Sequence, residues 1–283
     1  MARLLALTRS VPPTISRCEL THLSREPIDH VRAVEQHAAY ERCLERLGCR
    51  VVRLADAPDL PDSVFVEDAA IVFADLAVIA RPGAASRRPE VDAMAEALRP
   101  HRPLAFIQSP GTLDGGDVLV ASCPQRAGTR VGGPGGQVFV GISGRTNEDG
   151  VRQLAAFLGP QGFDVIAVPV TGCLHLKSAV TQACDGVLVV NPEWVDVSHF
   201  EGFELIEVDP SEPAAANVLR IGAHVICAEE HPKTRQRLAA RGLDTQSVPA
   251  GELAKAEGGV TCCSVLVPPP LGEREALQSF VSL

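Results

Sequence analysis

No stretch of this sequence is apolar for long enough to span a bilayer: of 283 residues 46% are hydrophobic, yet the longest apolar runs are strand-sized. Met1-Ala2-Arg3-Leu4-Leu5-Ala6-Leu7 is followed by Arg9, Pro12 and Pro13 instead of a continued apolar core and a small-residue cleavage site, so it reads as a first strand and not as a signal peptide. An excess of positive charge is missing too. The formal net charge is −9 and the pI about 5.4, which argues against a phosphate backbone or any nucleic acid as partner. An acidic chain can still favour a cationic small molecule. The nine cysteines include no C-x-x-C pair, and their odd number gives no disulfide framework in a chain this long. A reducing cytoplasm is the simpler expectation. No His or Cys pair has the short spacing of a structural zinc site, so no metal is expected.

What is present is a repeat. At intervals of roughly 40–60 residues an apolar stretch is interrupted by a polar signature: Glu67-Asp68, Asp114-Gly115-Gly116-Asp117, His175-Leu176-Lys177, Asn217 and Cys262-Cys263. The first two units match best. Val66-Glu67-Asp68 leads to the run Leu76 to Ala80, then Arg81-Pro82-Gly83 and a helical stretch from Pro89 to Arg99. Leu113 to Val120 leads to Gln137 to Gly141, then Arg145-Thr146-Asn147 and a helix in which Val151, Leu154, Ala155 and Leu158 recur at the spacing of one buried stripe. Each unit reads strand, strand, helix, strand, which predicts stacked or radially arranged α/β units.

The interruptions carry chemistry. Adjacent acids inside an apolar run, such as Glu67-Asp68, are costly if buried unpaired and call for a cation. Asp114-Gly115-Gly116-Asp117 reads as a turn that places two carboxylates at a strand entrance. His175 is polar against an apolar background and reads equally well as a hydrogen-bonded core histidine or as a proton carrier. Gly258-Gly259-Val260-Thr261-Cys262-Cys263-Ser264-Val265 reads as a strand, with the two sulfurs on opposite faces. Cys263 is then a small buried hydrophobe, and Cys262, behind two glycines that allow close backbone approach, a nucleophile. His175 and Lys177, two positions apart on an expected strand, would share a face. Arg87-Arg88 and Arg145 follow the acidic segments and are suited to a carboxylate. Acids at one end and arginines at the other suit a zwitterion with an extra positive charge.

Leu60 to Asp68, Arg81 to Arg88, Thr112 to Asp117, Gly144 to Asn147, Leu174 to Lys177 and Gly258 to Cys262, in that order, resemble the dimethylarginine dimethylaminohydrolase family, over about residues 15 to 267. The resemblance implies the five-bladed α/β propeller called the pentein fold, forming one catalytic domain over 1–283 with a lid loop at about 19–30 and an extension at about 268–283. It implies Cys262 as nucleophile, His175 as general acid and base, and Asp114 as the acid that orients the His, one methylene shorter than the Glu of some members. It places Glu67 and Asp68 on the guanidinium, Asp62 and the carbonyls of Leu20 and Ala256 on the α-amino group, and Arg87 and Arg145 on the α-carboxylate.

The implied reaction is hydrolysis of methylated arginine to citrulline through a covalent thiouronium, with no cofactor. Lys177 stands where arginine deiminases carry an Asp, and a dimethylated nitrogen has no N–H to give such an acid, so a methylated substrate is favoured over free arginine. Two other readings remain: an arginine deiminase or another guanidine hydrolase, and a non-catalytic binder of arginine-like ligands. The expected partner is the small-molecule substrate, with no membrane, and the expected assembly a monomer or homodimer. The Gly-rich stretch Cys123 to Gly136 is expected to be a flexible hairpin connection without functional groups.

Overall fold

The computed structural model describes residues 3–122 and 136–269. Apart from Gly136, the expected connection from Cys123 to Gly136 lies outside the described residues, as does the tail from Leu271 to Leu283. The chain runs through five similar units. The first holds β1 (Leu5–Thr8), α1 (His30–Arg46) and β2 (Arg50–Arg53). The second holds β3 (Ala70–Val72), β4 (Ala77–Ile79), α2 (Val91–Leu98) and β5 (Leu104–Phe106), and the third β6 (Val118–Ala121), β7 (Gln137–Ile142), α3 (Glu148–Leu158) and β8 (Asp164–Pro169). The fourth opens with the short helix α4 (Leu176–Ala179) before β9 (Val180–Cys184), β10 (Val187–Val190) and β11 (Glu204–Glu207). The fifth holds β12 (Leu219–Ile221), β13 (His224–Ala228), α5 (Pro232–Ala240) and β14 (Asp244–Val248). After α6 (Gly251–Ala254), β15 (Val265–Val267) returns to pair with β1, so the first unit takes its missing strand from the far end of the sequence.

All five sheets have three strands and one connectivity: the second strand pairs antiparallel with the first and parallel with the third. A parallel neighbour needs a long crossover, and this is what α1, α2, α3 and α5 supply. The fourth unit departs from the expected strand, strand, helix, strand pattern, with only a turn of 3-10 helix, Val197–Phe200, between β10 and β11. In α3 the predicted stripe is real: Val151, Leu154 and Leu158 are buried, and the Asn147 side chain caps the helix by accepting from Gly150 N–H.

The middle strands β4 and β7 are buried almost throughout, because each lies between two strands and under packed faces; such strands read as continuous apolar runs. These are the runs that stand out in the sequence. The inner strands β3, β6, β9, β12 and β15 all line one axial cavity of about 280 Å³. This common lining is the radial arrangement expected of a five-bladed propeller. No helix among the described residues is long and apolar enough to cross a membrane, and every described cysteine is a free thiol.

Candidate active site

The repeat acquires its meaning at the turns that lead into the inner strands. Val66–Ala69, Gly115–Asp117, α4, Pro213–Ala216 and the turn at Thr261–Cys263 each precede an inner strand. Radial packing brings their side chains together at one end of the axis, although they are far apart in sequence.

The cysteine doublet is not in a strand. Cys262 N–H donates to the Gly259 carbonyl at 3.2 Å and Ser264 N–H to that of Thr261 at 3.4 Å, so residues 259–264 form tight turns and β15 begins only at Val265. The glycines are there for close approach, as expected: a Cβ on Gly258 would stand 2.1 Å from the Phe65 ring and one on Gly259 2.3 Å from Asn217 Oδ1. Both cysteines border the apolar core, but only Cys262, whose Sγ accepts a bond from Gly259 N–H at 3.3 Å, also lines a cavity. Burial, then Glu67 and Asp68, push the Cys262 thiol up to about 12.

His175 and Lys177 do not share a strand face either. His175 is extended (φ −136°, ψ 160°) and caps α4, whose first turn carries Lys177, so the two side chains diverge. The buried imidazole places Nε2 3.1 Å from Asp114 Oδ2 and Nδ1 3.7 Å from Asp68 Oδ1. Burial alone would depress its pKa, but Asp68, Asp114 and Asp117 outweigh it and raise it to about 9, so His175 is an imidazolium at neutral pH. Its backbone is held from below: Asp117, wholly buried, accepts Leu176 N–H at 2.9 Å and Ser143 Oγ at 2.6 Å. Asp117 is a supporting residue that the sequence shows only as the second acid of a turn.

Asp68 takes three partners: the Arg87 guanidinium, Gly116 N–H at 2.9 Å, and His175. Burial opposes its ionisation, but His175 and Arg87 win and bring it to about 2. Asp68, Asp114 and His175 offer atoms within 4.8 Å of one another, a spacing that can hold a cation. The guanidinium of Arg87 and the imidazolium already supply that positive charge. Arg87 is itself clasped by Glu90, through Nε at 3.1 Å and Nη2 at 2.8 Å. Glu90 was not among the expected site residues; its only sequence signal is the i, i+3 spacing from Arg87.

The cavity at the thiol is lined by Asp62, Phe65, Asp68, Arg87, Arg145, His175, Ala256, Glu257 and Cys262, among others. Asp114 lies directly behind His175. Arg145 is buried, with Nη2 donating to Thr21 Oγ1 at 3.2 Å and Nη1 without a partner. Asp62 accepts Glu19 N–H at 3.2 Å, and burial pushes its pKa up against the pull of Arg87. Leu20 is half-buried in the segment above and does not line the cavity. Nor does Glu67: its carboxylate binds Lys177 and accepts Thr261 Oγ1 at 2.7 Å, facing the axial cavity, while its N–H donates to the Cys262 carbonyl at 3.1 Å. Asn217 completes this floor, donating to the Lys177 carbonyl and to Thr261 Oγ1, each at 3.0 Å. Four units thus contribute Glu67, Lys177, Asn217 and Thr261 to one polar layer beneath the turn that carries Cys262.

No protein-family model matches the chain. It is 42% identical to the N(G),N(G)-dimethylarginine dimethylaminohydrolase of Streptomyces coelicolor over 92% of this chain and 95% of that one. It is 33% identical to the Pseudomonas aeruginosa protein of the same name, over 87% of this chain and 91% of that one. The solved P. aeruginosa structure, a cysteine-to-serine mutant in complex with citrulline, superposes with a TM-score of 0.84 at 30% identity, covering 94% of this chain and all of the other. With that identity across nearly the whole length and the pentein architecture in common, the chain belongs to the dimethylarginine dimethylaminohydrolase family.

Proposed function

We propose that this chain hydrolyses Nω-methylated arginines, dimethylarginine and monomethylarginine, to citrulline and a methylamine. The observation that carries the reading is one cavity wall holding both the Cys262 thiol and a His175 imidazolium backed by buried carboxylates. The P. aeruginosa relative holds citrulline, the product this reaction requires.

The resting pair is a protonated thiol and a protonated imidazole. Arrival of a guanidinium brings a positive charge beside Cys262, which favours the thiolate and release of its proton. Sulfur then attacks the guanidinium carbon, forming the S–C bond. His175 gives its proton to the methylated nitrogen as the C–N bond breaks, and the amine leaves a covalent thiouronium. The neutral imidazole takes a proton from water, whose oxygen attacks the same carbon; the C–S bond breaks and citrulline leaves. Asp114 holds the ring throughout, and the chemistry asks for no cofactor.

Asp68 is the carboxylate in the cavity wall for the guanidinium. Glu67, one layer below, takes part only when its pair with Lys177 opens. Arg145, with a free donor, is the stronger anchor for the α-carboxylate, since most of the donors of Arg87 are committed to Asp68, Glu90 and backbone carbonyls. Asp62 and the Ala256 carbonyl receive the α-amino group, and the Leu20 carbonyl joins them only when its segment moves toward the cavity. Incubation with arginine, monomethylarginine and dimethylarginine, with citrulline and released amine assayed, tests the reading. Both methylated compounds should turn over far faster than arginine, and Cys262→Ser should abolish turnover. Comparable use of free arginine would move the chain to the deiminase reading, and no citrulline from any guanidine would leave a binder.

A further inference from the structure

The cavity at Cys262 leaves free space of only about 10 Å³, room for about one water molecule. An arginine derivative fits only after something lifts. At the cavity's edge runs the segment 19–30: Glu19 lines the cavity, Thr21 Oγ1 accepts from the wall residue Arg145, and the two ends are tied down conventionally, Glu19 N–H to Asp62 at 3.2 Å and Asp29 N–H to Glu252 at 2.9 Å. Its crest is held differently. Three consecutive amides, those of Thr21, His22 and Leu23, all point at the Glu257 carboxylate, with N···O distances from 2.5 to 3.2 Å.

We propose that Glu257 is the positioning residue that holds this lid closed over the thiol cavity, by capping the three crest amides with its carboxylate. Successive backbone N–H groups turned to one point form an anion-binding concavity, and here the anion is built into the chain. No Lys or Arg forms a salt bridge with Glu257 among the described residues, so the amides are its counter-dipole. Glu257 is also the one described non-glycine residue with positive φ, at 57°, a conformation that side chains adopt only when their surroundings require it. That backbone turn aims the carboxylate at the lid directly after Ala256, and both residues line the thiol cavity. To this latch the lid contributes only backbone, and the side chain of Leu23 at its crest is 51% exposed.

The latch also joins two compartments. His22, Leu23 and Glu257 line a second cavity, of about 190 Å³, together with Trp194, the only tryptophan in the sequence. Lid movement therefore changes the surroundings of a unique fluorophore.

The inference rests on the reading of the thiol cavity as the substrate site, but its test does not depend on turnover. In the ligand-free protein, hydrogen exchange at the amides of Thr21, His22 and Leu23 is followed in wild type, Glu257→Gln and Glu257→Gly. The Gly variant relieves the positive φ and so folds even where the Gln variant does not. Both should exchange these amides about ten- to a hundredfold faster, the size expected for losing charge-assisted hydrogen bonds. In stopped-flow Trp194 fluorescence with citrulline, the observed rate should level off in wild type at the lid-opening rate, and that plateau should rise in both variants by a similar factor. Unchanged exchange, or a plateau that does not move, overturns the latch. Absence of turnover in wild type with unaltered lid exchange results would sink the substrate reading and leave the latch standing.

Discussion

The imidazole of His175 and the carboxylate of Asp114 stand 3.1 Å apart, both buried, in a chain where 61 residues separate them. Asp68 on the other nitrogen is the stronger reason the ring keeps its charge in this poorly solvated site, and the hydrogen bond to Asp114 adds to it. The pH dependence follows. The imidazolium is required to protonate the leaving amine, so kcat/KM should fall as pH rises through about 9, the value for His175 in the free protein. In Asp114→Asn the hydrogen-bonded acid is gone while burial remains and Asp68 still favours the charge, so the same limb should move to lower pH without disappearing. The sign for stability is the same: a raised His pKa contributes fully below its unfolded value of about 6.5 and is lost as pH climbs through the folded one. A pH–rate profile of both proteins, with thermal unfolding at pH 6 and pH 10, checks this.

Gly116 shows how little room the pair has. A Cβ at that position would stand 2.6 Å from His175 Nδ1 and 2.7 Å from Asp68 Oδ1. Neither group can give, because one is held by Asp114 and the other by Arg87 and the Gly116 amide. Gly116→Ala should therefore lower kcat by about two orders of magnitude, as expected when a reacting group is displaced by an ångström. Its stability should fall by only about 1–3 kcal/mol, the usual cost of one forced methyl. Circular dichroism and urea unfolding separate the two effects.

The polar interruptions, the apolar runs between them and the helix at Val151 were legible because each is a local signal: cost of buried charge, period 2 against 3.6, and glycine spacing. The turn at Cys262-Cys263 was not. Its β-branched neighbours Val260, Thr261 and Val265 give a strand-like pattern, and only the closure of β15 onto β1 fixes where the strand starts. His175 and Lys177 failed for the same reason, since a one-turn helix has no period to read. The partners Glu90 and Asp117 were missed because a buried acid looks like a surface acid until its neighbours are known, and Glu257 because nothing local marks the backbone amides that its carboxylate meets. The likeness of the whole to a known family rests on short motifs, and these say nothing of which carboxylate Lys177 takes.

That choice has its own consequence. Glu67 is buried, burial pushes its pKa up, and Lys177 with Thr261 opposes the push. Breaking such a pair from one side leaves a charge without a partner. Lys177→Met should cost about 3–5 kcal/mol in urea unfolding. Adding Glu67→Gln should recover most of the loss, because the second change removes the stranded carboxylate. A double-mutant cycle measures it, and a double variant that costs the sum of its two single changes would show that the pair carries no coupling.

The last expectation concerns the thiol. Burial together with Glu67 and Asp68 holds Cys262 near 12, so at pH 7 only about one molecule in 10⁵ carries the thiolate. The free protein should therefore be alkylated at Cys262 slowly at neutral pH, with a rate that rises about tenfold per pH unit. Cys263, wholly buried in the core, should not compete. A cation held against Asp68 lowers the cost of the sulfur anion, so a guanidinium ligand too short to cover the sulfur should speed the reaction instead of protecting it. Mass spectrometry of the modified peptide, with and without guanidinium ion at constant ionic strength, reads the effect. A fast, pH-independent rate in the free protein would mean that the resting thiol is already ionised, and the order of events proposed for the first step would have to be reversed.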